Sequence, residues 1–234
     1  MDKGKQIYEG KAKKVFETKD PDIYIQEFKD DATAFDATKR GTIANKGIVN
    51  NKISKILFEL LESKGIETHF IRAIDDRHML IKRVEIILLE VTIRNIVAGG
   101  MAKLLGLEEG IVLDEPVLEY HFKNDSLHDP LINEYHAKSL KIATDEELDI
   151  ISKRSFEINN ILKSFFDHKN LDLVDFKLEF GRHKGKVLLA DEISPDTCRF
   201  WDKRTKEKLD KDRFRRDLGN VEEAYQEVLK RITN

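Results

Sequence analysis

The sequence predicts an α+β protein of two lobes, and three observations carry that expectation. Strand-like segments dominate the first part of the chain around a single helical pattern, whereas the later part mixes strands with two long helical patterns. Charged residues recur on strands and tight turns in both parts, as a cleft between lobes requires. The most apolar stretch, centred on residues 86–89, overlaps a candidate hinge at 84–87. The expected division is an N-terminal lobe over residues 1–84 and a C-terminal lobe over 85–234.

Residues 6–17 read as strand, tight turn at Gly10, and strand. Lys11 and Lys13 are two apart and project to one side if the return strand begins there. Such a loop can cover a polyphosphate with N–H and ammonium groups, though it lacks the GxxxxGK[ST] pattern. Basic residues on an edge hairpin also guard against aggregation, so the spacing leaves both readings open. A strand is expected at 23–28, then polar loops at 30–36 and 41–47. Val49, Ile53, Ile56, Leu57, Leu60 and Leu61 follow helical spacing, with Gly65 as the stop. Residues 70–74 and 79–87 read as strands, the second carrying Lys82. A lysine facing inward there pairs with nucleotide phosphates; one facing outward meets only solvent.

A strand from residue 90 breaks at Gly99-Gly100, before a short helix over 102–105 that ends near Gly106. Arg94 ahead of this turn suits an anion, and a plain strand-to-helix connection has the same pattern. Residues 120–133 are polar and read as an irregular loop, often a functional feature. Thr144 to Glu147 forms a capping box ahead of a long helix, lined by Leu148, Ile151, Ile158, Ile161, Leu162 and Phe165. A second box is expected at Asn220 to Glu223, ahead of the final helix. The charged run at 210–216 reads as a solvated turn with an arginine to spare for a phosphate.

The segment 174–181 alternates strictly, placing Val174, Phe176, Leu178 and Phe180 on one face and Asp175, Lys177 and Glu179 on the other. A loop at 182–186 returns the chain through a strand at 187–190 to Asp191-Glu192. The pairing brings Glu179 and Asp191 together beside Lys177, two hard oxygen ligands of the kind Mg²⁺ takes alongside substrate phosphates. The turn Ser194-Pro195-Asp196 then delivers Arg199. A charged outer face would share the DxKxE spacing, but carboxylates next to an anion-binding arginine favour a phosphate-handling site.

The 234 residues are 40% hydrophobic and 36% charged, with a net charge of −3, which offers no global field for nucleic acid or an anionic membrane. The single Cys198 excludes an intrachain disulfide and a cysteine metal cluster, and the seven histidines show no zinc spacing. The polar opening residues read as no signal peptide, and a cytoplasmic protein is expected.

Several blocks, taken in order, resemble the SAICAR synthetase family, the phosphoribosylaminoimidazole-succinocarboxamide synthases of purine biosynthesis. They are residues 8–13, 46–52, 91–95 with Ala98-Gly99, 123–125 with 128–130, 174–181, 191–201 and 210–215. The resemblance implies a two-lobed fold related to ATP-grasp and kinase-like architecture. It also implies an ATP-dependent carbon–nitrogen ligase joining L-aspartate to carboxyaminoimidazole ribonucleotide (CAIR), through an acyl phosphate. Carried onto this sequence, Lys11, Ala12, Lys13 and Lys82 serve the ATP phosphates and Val15 and Val84 the adenine. Glu179 and Asp191 hold Mg²⁺, and Arg94, Gly100, Asp129, Lys177, Arg199 and Arg215 bind CAIR. Lys177, Asp175 and Asp36 stand at the reacting centre, and a homodimer is implied. Two positions depart from the pattern. Gly41 stands where bacterial members carry a metal-site Glu, and Gly100 where Ala-Gly-Ser is usual. A small-molecule kinase of the same fold is the alternative, separable because it needs no amine cosubstrate.

Overall fold

The computed structural model describes residues 2–34 and 38–234. The chain lays down β1 (Gln6–Glu9), β2 (Lys13–Glu17) and β3 (Ile23–Phe28), then a ribbon of β4 (Asp31–Ala34) and β5 (Lys39–Thr42). After α1 (Lys46–Ser63) come β6 (Phe70–Ala73) and β7 (His78–Lys82). Among the described residues these strands, the ribbon apart, form an antiparallel sheet in the order β1-β2-β3-β7-β6. Helix α1 closes its back, burying Ile53, Leu57, Phe58 and Leu61 completely.

The second part comprises β8 (Glu85–Ile96), α2 (Gly99–Leu105), β9 (Val112–Phe122), β10 (Leu131–Ile132), α3 (Glu134–Ser139) and α4 (Asp145–Asp167). It continues with β11 (Leu171–His183), β12 (Lys186–Ala190), β13 (Cys198–Asp202), α5 (Asp212–Arg215) and α6 (Val221–Thr233). Its antiparallel sheet runs β10-β9-β8-β11-β12, with β13 also beside β11. α4 packs on β11 and α6 on α1. One hydrophobic core runs from Phe28, Phe58 and Met79 through Leu178, Phe180 and Leu189 to Phe200 and Tyr225. Each such side chain buried contributes about 1.5–3 kcal/mol.

The long-helix box forms as expected: Thr144 Oγ1 accepts from the Glu147 N–H, and a Glu147 carboxylate oxygen accepts from the Thr144 N–H. Several expectations change. Asn220 makes no cap, because it sits at φ 48° just after Gly219 at φ 70°, and its side chain does not reach the first turn. The polar stretch 120–133 is strand only at its ends, where Tyr120 and His121 pair with Ile132 and Leu131, while residues 123–130 form a loop with one short 3-10 turn. Half of the 30–36 loop is strand β4, paired with β5. The strand expected at 79–87 breaks at Arg83-Val84 and divides into β7 and β8.

Strand β11 is the largest correction. Its polar face is no solvent face: Asp175 is 3% exposed and Glu179 4%. Its alternation is also interrupted, because the register against β13 shifts between Leu173 and Asp175. Val174 therefore packs in a small cluster with Ile96, Ala98 and Trp201, while Phe176, Leu178 and Phe180 join the main core. The turn from β11 to β12 is tight, with Lys184 and Gly185 both at positive φ.

Candidate active site

A cleft of about 510 Å³ opens between the two sheets. On one side the β1–β2 turn is closed by a bond from the Gly10 N–H to the Lys13 carbonyl, 2.8 Å long. Lys11 and Lys13 extend from it toward the other sheet, Lys11 reaching Asp125 at 2.8 Å and Lys13 reaching Asp191 and, at 3.0 Å, Glu192. Val15, Ile81, Val84 and Leu88 supply an apolar wall, and Gln26 lies buried beside them. Lys82 lines the same space, its Nζ donating to the Thr68 carbonyl at 2.8 Å.

On the other side, β11 and the end of β12 present the carboxylates. Glu179 pairs in register with Ala190, which places Asp191 just past the edge of the ladder at φ 62°. Lys177 ties the group together, 2.5 Å from Glu179, 2.9 Å from Glu90 and 3.5 Å from Asp191. Lys123 adds a second cation, 2.8 Å from Glu179. Burial opposes the charges here, but the opposite charges win. Asp191 is held well below the usual carboxylate range by Lys13, Lys177 and Lys123, and Lys177 well above the usual lysine range by Glu179, Asp191 and Glu90. Asp191 and Lys177 therefore stay ionised at neutral pH.

Among the described residues no three His, Cys, Asp or Glu side chains form a self-sufficient metal cage. Glu179 and Asp191 nevertheless fit Mg²⁺, which takes one or two carboxylates and completes its shell with phosphate oxygens and water. Their protein partners are lysine ammonium groups, which occupy cation positions beside the same oxygens.

A second pocket of about 310 Å³ adjoins the cleft and is lined by Arg94, Asp129, Asp175, Lys177, Arg199 and Arg215. Buried carboxylates aim its arginines. Asp175 accepts from Arg94 Nη1 at 2.7 Å and from Arg199 Nη1 at 2.9 Å. Glu119 accepts from Arg94 Nη2 at 2.7 Å, and Asp212 from Arg199 Nε at 3.0 Å and Arg215 Nη1 at 2.6 Å. Burial would raise the Glu119 pKa, but His121 and Arg94 lower it to about 2. Burial likewise opposes the charge of Arg199, and Asp175 and Asp212 raise its pKa further. Such preset guanidinium forks suit a phosphate or carboxylate. Gly99, at φ 54°, is required here, because a Cβ would lie 2.4 Å from Arg199 Nη2.

Of the residues singled out from sequence, Lys11, Ala12, Lys13, Val15, Lys82, Val84, Glu179 and Asp191 line the cleft. Arg94, Asp129, Asp175, Lys177, Arg199 and Arg215 line the second pocket. Gly100 opens α2, where a Cβ would stand 3.7 Å from Arg94 Nη2. Asp36 lies outside the described residues. Gly41 faces the Phe214 ring, 3.0 Å from a would-be Cβ, so a side chain there requires Phe214 to move. Lys123, Glu90, Glu119 and Asp212 were not foreseen. Lys123 stood within a recognised block; Asp212 was hidden in the run 210–216, whose Asp210, Asp212 and Arg213 are buried rather than solvated.

Fold and site together define a two-sheet α+β protein with a cleft built for polyanions. A family model described as SAICAR synthetase matches residues 6–232. The chain belongs to the SAICAR synthetase family. It is 60% identical to a phosphoribosylaminoimidazole-succinocarboxamide synthase of Caldanaerobacter subterraneus subsp. tengcongensis, over 99% of both chains. The crystal structure of such a synthase from Ehrlichia chaffeensis superposes with a TM-score of 0.96 at 47% identity, covering 98% of each chain. A SAICAR synthetase in complex with ADP superposes at 0.94 with 52% identity and 97% coverage of each.

Proposed function

We propose that the chain condenses CAIR with L-aspartate at the expense of ATP, giving SAICAR, ADP and phosphate. The observation that carries this reading is a shared wall: Lys11, Glu90, Lys177, Asp196, Thr197 and Lys211 line both the cleft and the arginine pocket. A nucleotide in the cleft and a phosphorylated carboxylic acid in the pocket would meet there. The ADP bound by a close structural relative supports placing the nucleotide in the cleft.

In this reading Val15 and Val84 pack the adenine, and Ala12 allows close approach of the turn. Lys11, Lys13 and Lys82 bind phosphates. Mg²⁺ at Glu179 and Asp191 would supply charge neutralisation for the phosphate oxygens. Arg94, Arg199 and Arg215 hold the CAIR phosphate and carboxylate, Asp129 and the Gly100 N–H its remaining polar groups. Lys177, held by Glu90 and Glu179, faces the carboxylate being activated, Asp175 aims Arg94 and Arg199 beside it, and Asp36 supports that centre.

The chemistry follows from the acid. A carboxylate has no acceptable leaving group, so its oxygen first attacks the γ-phosphorus of ATP and ADP departs. The aspartate amine then attacks the acyl carbon, phosphate leaves with the C–O bond pair, and the nitrogen gives up a proton. No side-chain nucleophile is needed, because positioning and charge stabilisation dominate phosphoryl transfer.

The two lobes divide at residues 84 and 85, in this reading, with β1–β3 and β7 covering the nucleotide. The exposed Leu104, Leu105 and Val112 support pairing of two chains as a homodimer, to be read by light scattering. No helix among the described residues is long and apolar enough to cross a membrane. A cytoplasmic setting fits enzymes that draw on ATP.

The test mixes protein, ATP, Mg²⁺ and CAIR with and without L-aspartate. SAICAR and ADP formed together only with aspartate is the expected result. ADP formed equally without aspartate, with a lasting phosphorylated product, would establish a kinase instead.

A further inference from the structure

Lys211 follows β13 and immediately precedes α5, and its side chain is 12% exposed. Its backbone N–H donates to the Pro195 carbonyl at 3.1 Å, which fixes the residue against the Ser194-Pro195-Asp196 turn. The ammonium is in a different situation. Its nearest carboxylate oxygen is Asp196 Oδ1 at 3.7 Å, beyond hydrogen-bond length.

Asp196 is already engaged by three other donors. Its Oδ1 accepts from the Tyr225 hydroxyl at 2.7 Å, and its Oδ2 from Lys46 Nζ at 2.5 Å and Asn50 Nδ2 at 2.9 Å. Burial, with Arg215 and Lys46 nearby, lowers the Lys211 pKa, and Asp196 and Glu192 only partly offset this. A buried ammonium with three unspent donors is expensive unless an anion completes it. The position is also specific, because Lys211 lines both the cleft and the arginine pocket.

The anions of the proposed reaction can be assigned in turn. The nucleotide phosphates face Lys11, Lys13, Lys82 and Lys123 in the cleft. The ribonucleotide phosphate and carboxylate face three arginines and Lys177, and Lys177 is already engaged by Glu90 and Glu179. The third reactant, L-aspartate, brings two more carboxylates. Its amine must come within about 3–3.5 Å of the acyl carbon at the junction. Its α-carboxylate is bonded to the amine-bearing carbon and its side-chain carboxylate lies one methylene further, so at least one falls beside the same junction. Among the described residues, the one cation of the shared wall held by no hydrogen bond there is Lys211; Lys11 is tied to Asp125 and Lys177 to its carboxylates.

We infer that Lys211 binds a carboxylate of the amino-acid cosubstrate, between the nucleotide cleft and the arginine pocket. The inference rests on the ligase reading above.

The experiment compares the full-length wild type with K211M and K211R, titrating each substrate in turn and following ADP and SAICAR. In K211M the KM for L-aspartate should rise at least about tenfold, the worth of a charged hydrogen bond. The KM values for ATP and CAIR should stay within about twofold, and K211R should recover part of the loss. A rise confined to the ATP or CAIR KM, or an unchanged aspartate KM, overturns the assignment. If K211M does not fold, K211Q removes the charge with a polar side chain, and its aspartate KM decides the matter by the same criterion. Failure of the wild type to form SAICAR would instead sink the ligase reading itself, so the two failures are distinct.

Discussion

Asp191 stands in the left-handed backbone region at φ 62°, and its carboxylate joins Lys13 from one sheet to Lys177 of the other. Asn tolerates that backbone as well as Asp does, so Asp191→Asn tests charge without adding strain. Turnover should fall by on the order of a hundredfold or more, the cost of removing one preorganised electrostatic group, while circular dichroism stays native. A fully active Asp191→Asn protein would remove Asp191 from the metal site. Arg199 splits its guanidinium between Asp175 and Asp212, leaving Nη2 toward Gly99. Arg199→Lys loses that planar fork, and the KM for CAIR should rise about tenfold or more with the ATP KM little changed. An unchanged CAIR dependence would place the substrate phosphate elsewhere. Lys177 and Glu179 were readable from a five-residue spacing; Asp212 was not, because nothing local separates a buried charge cluster from a solvated one.

Helix α4 depends on its capping box and on a buried stripe that includes Ile151, Ile158 and Leu162. Thr144→Ala removes the acceptor for the Glu147 N–H and should cost about 1 kcal/mol in urea unfolding, without altering any KM. Strand β9 carries a different device. Glu119 titrates at about 2 in the folded chain, against an ordinary 4.5, because His121 and Arg94 outweigh its burial. A carboxylate depressed on folding stabilises the fold above its unfolded pKa, and that stability drains away as pH falls from about 4.5 toward 2. Glu119→Gln should flatten this part of the acid limb; a wild-type-like acid limb in the variant would assign the pH dependence to other groups. Helical periodicity located α1, α4 and α6, since each buries one stripe. The alternation of β11 was legible, but the register shift between Leu173 and Asp175 is a property of its pairing with β13.

Across the whole molecule the cleft joins the two sheets through ion pairs from Lys11 and Lys13 to Asp125, Asp191 and Glu192. A ligand bound there touches both sheets and stabilises only the folded chain. ATP with Mg²⁺ at about a hundred times its Kd should add about 2.7 kcal/mol, a rise in Tm of several degrees. Chelating the metal with EDTA should abolish most of that rise. A shift that survives chelation would remove Glu179 and Asp191 as metal ligands.

What the sequence determined by itself was the α+β class, the two groups of strands, the family, and six charged side chains of the cleft, Lys11, Lys13, Lys82, Lys177, Glu179 and Asp191. Those features are written in local spacing, in alternation, helical stripes and caps, and in ordered motif blocks. The tertiary structure alone decided that the polar face of β11 is buried, that Asp212 and Glu119 aim the arginines, and that Asp196 is engaged by Tyr225, Lys46 and Asn50. The contacts of Asp212 with Arg199, Glu119 with Arg94, and Asp196 with Tyr225 and Lys46 join residues from 13 to 150 positions apart, whose approach is set by sheet register and core packing. Whether a charge is paired or left for a ligand is decided only when those distant partners have been placed.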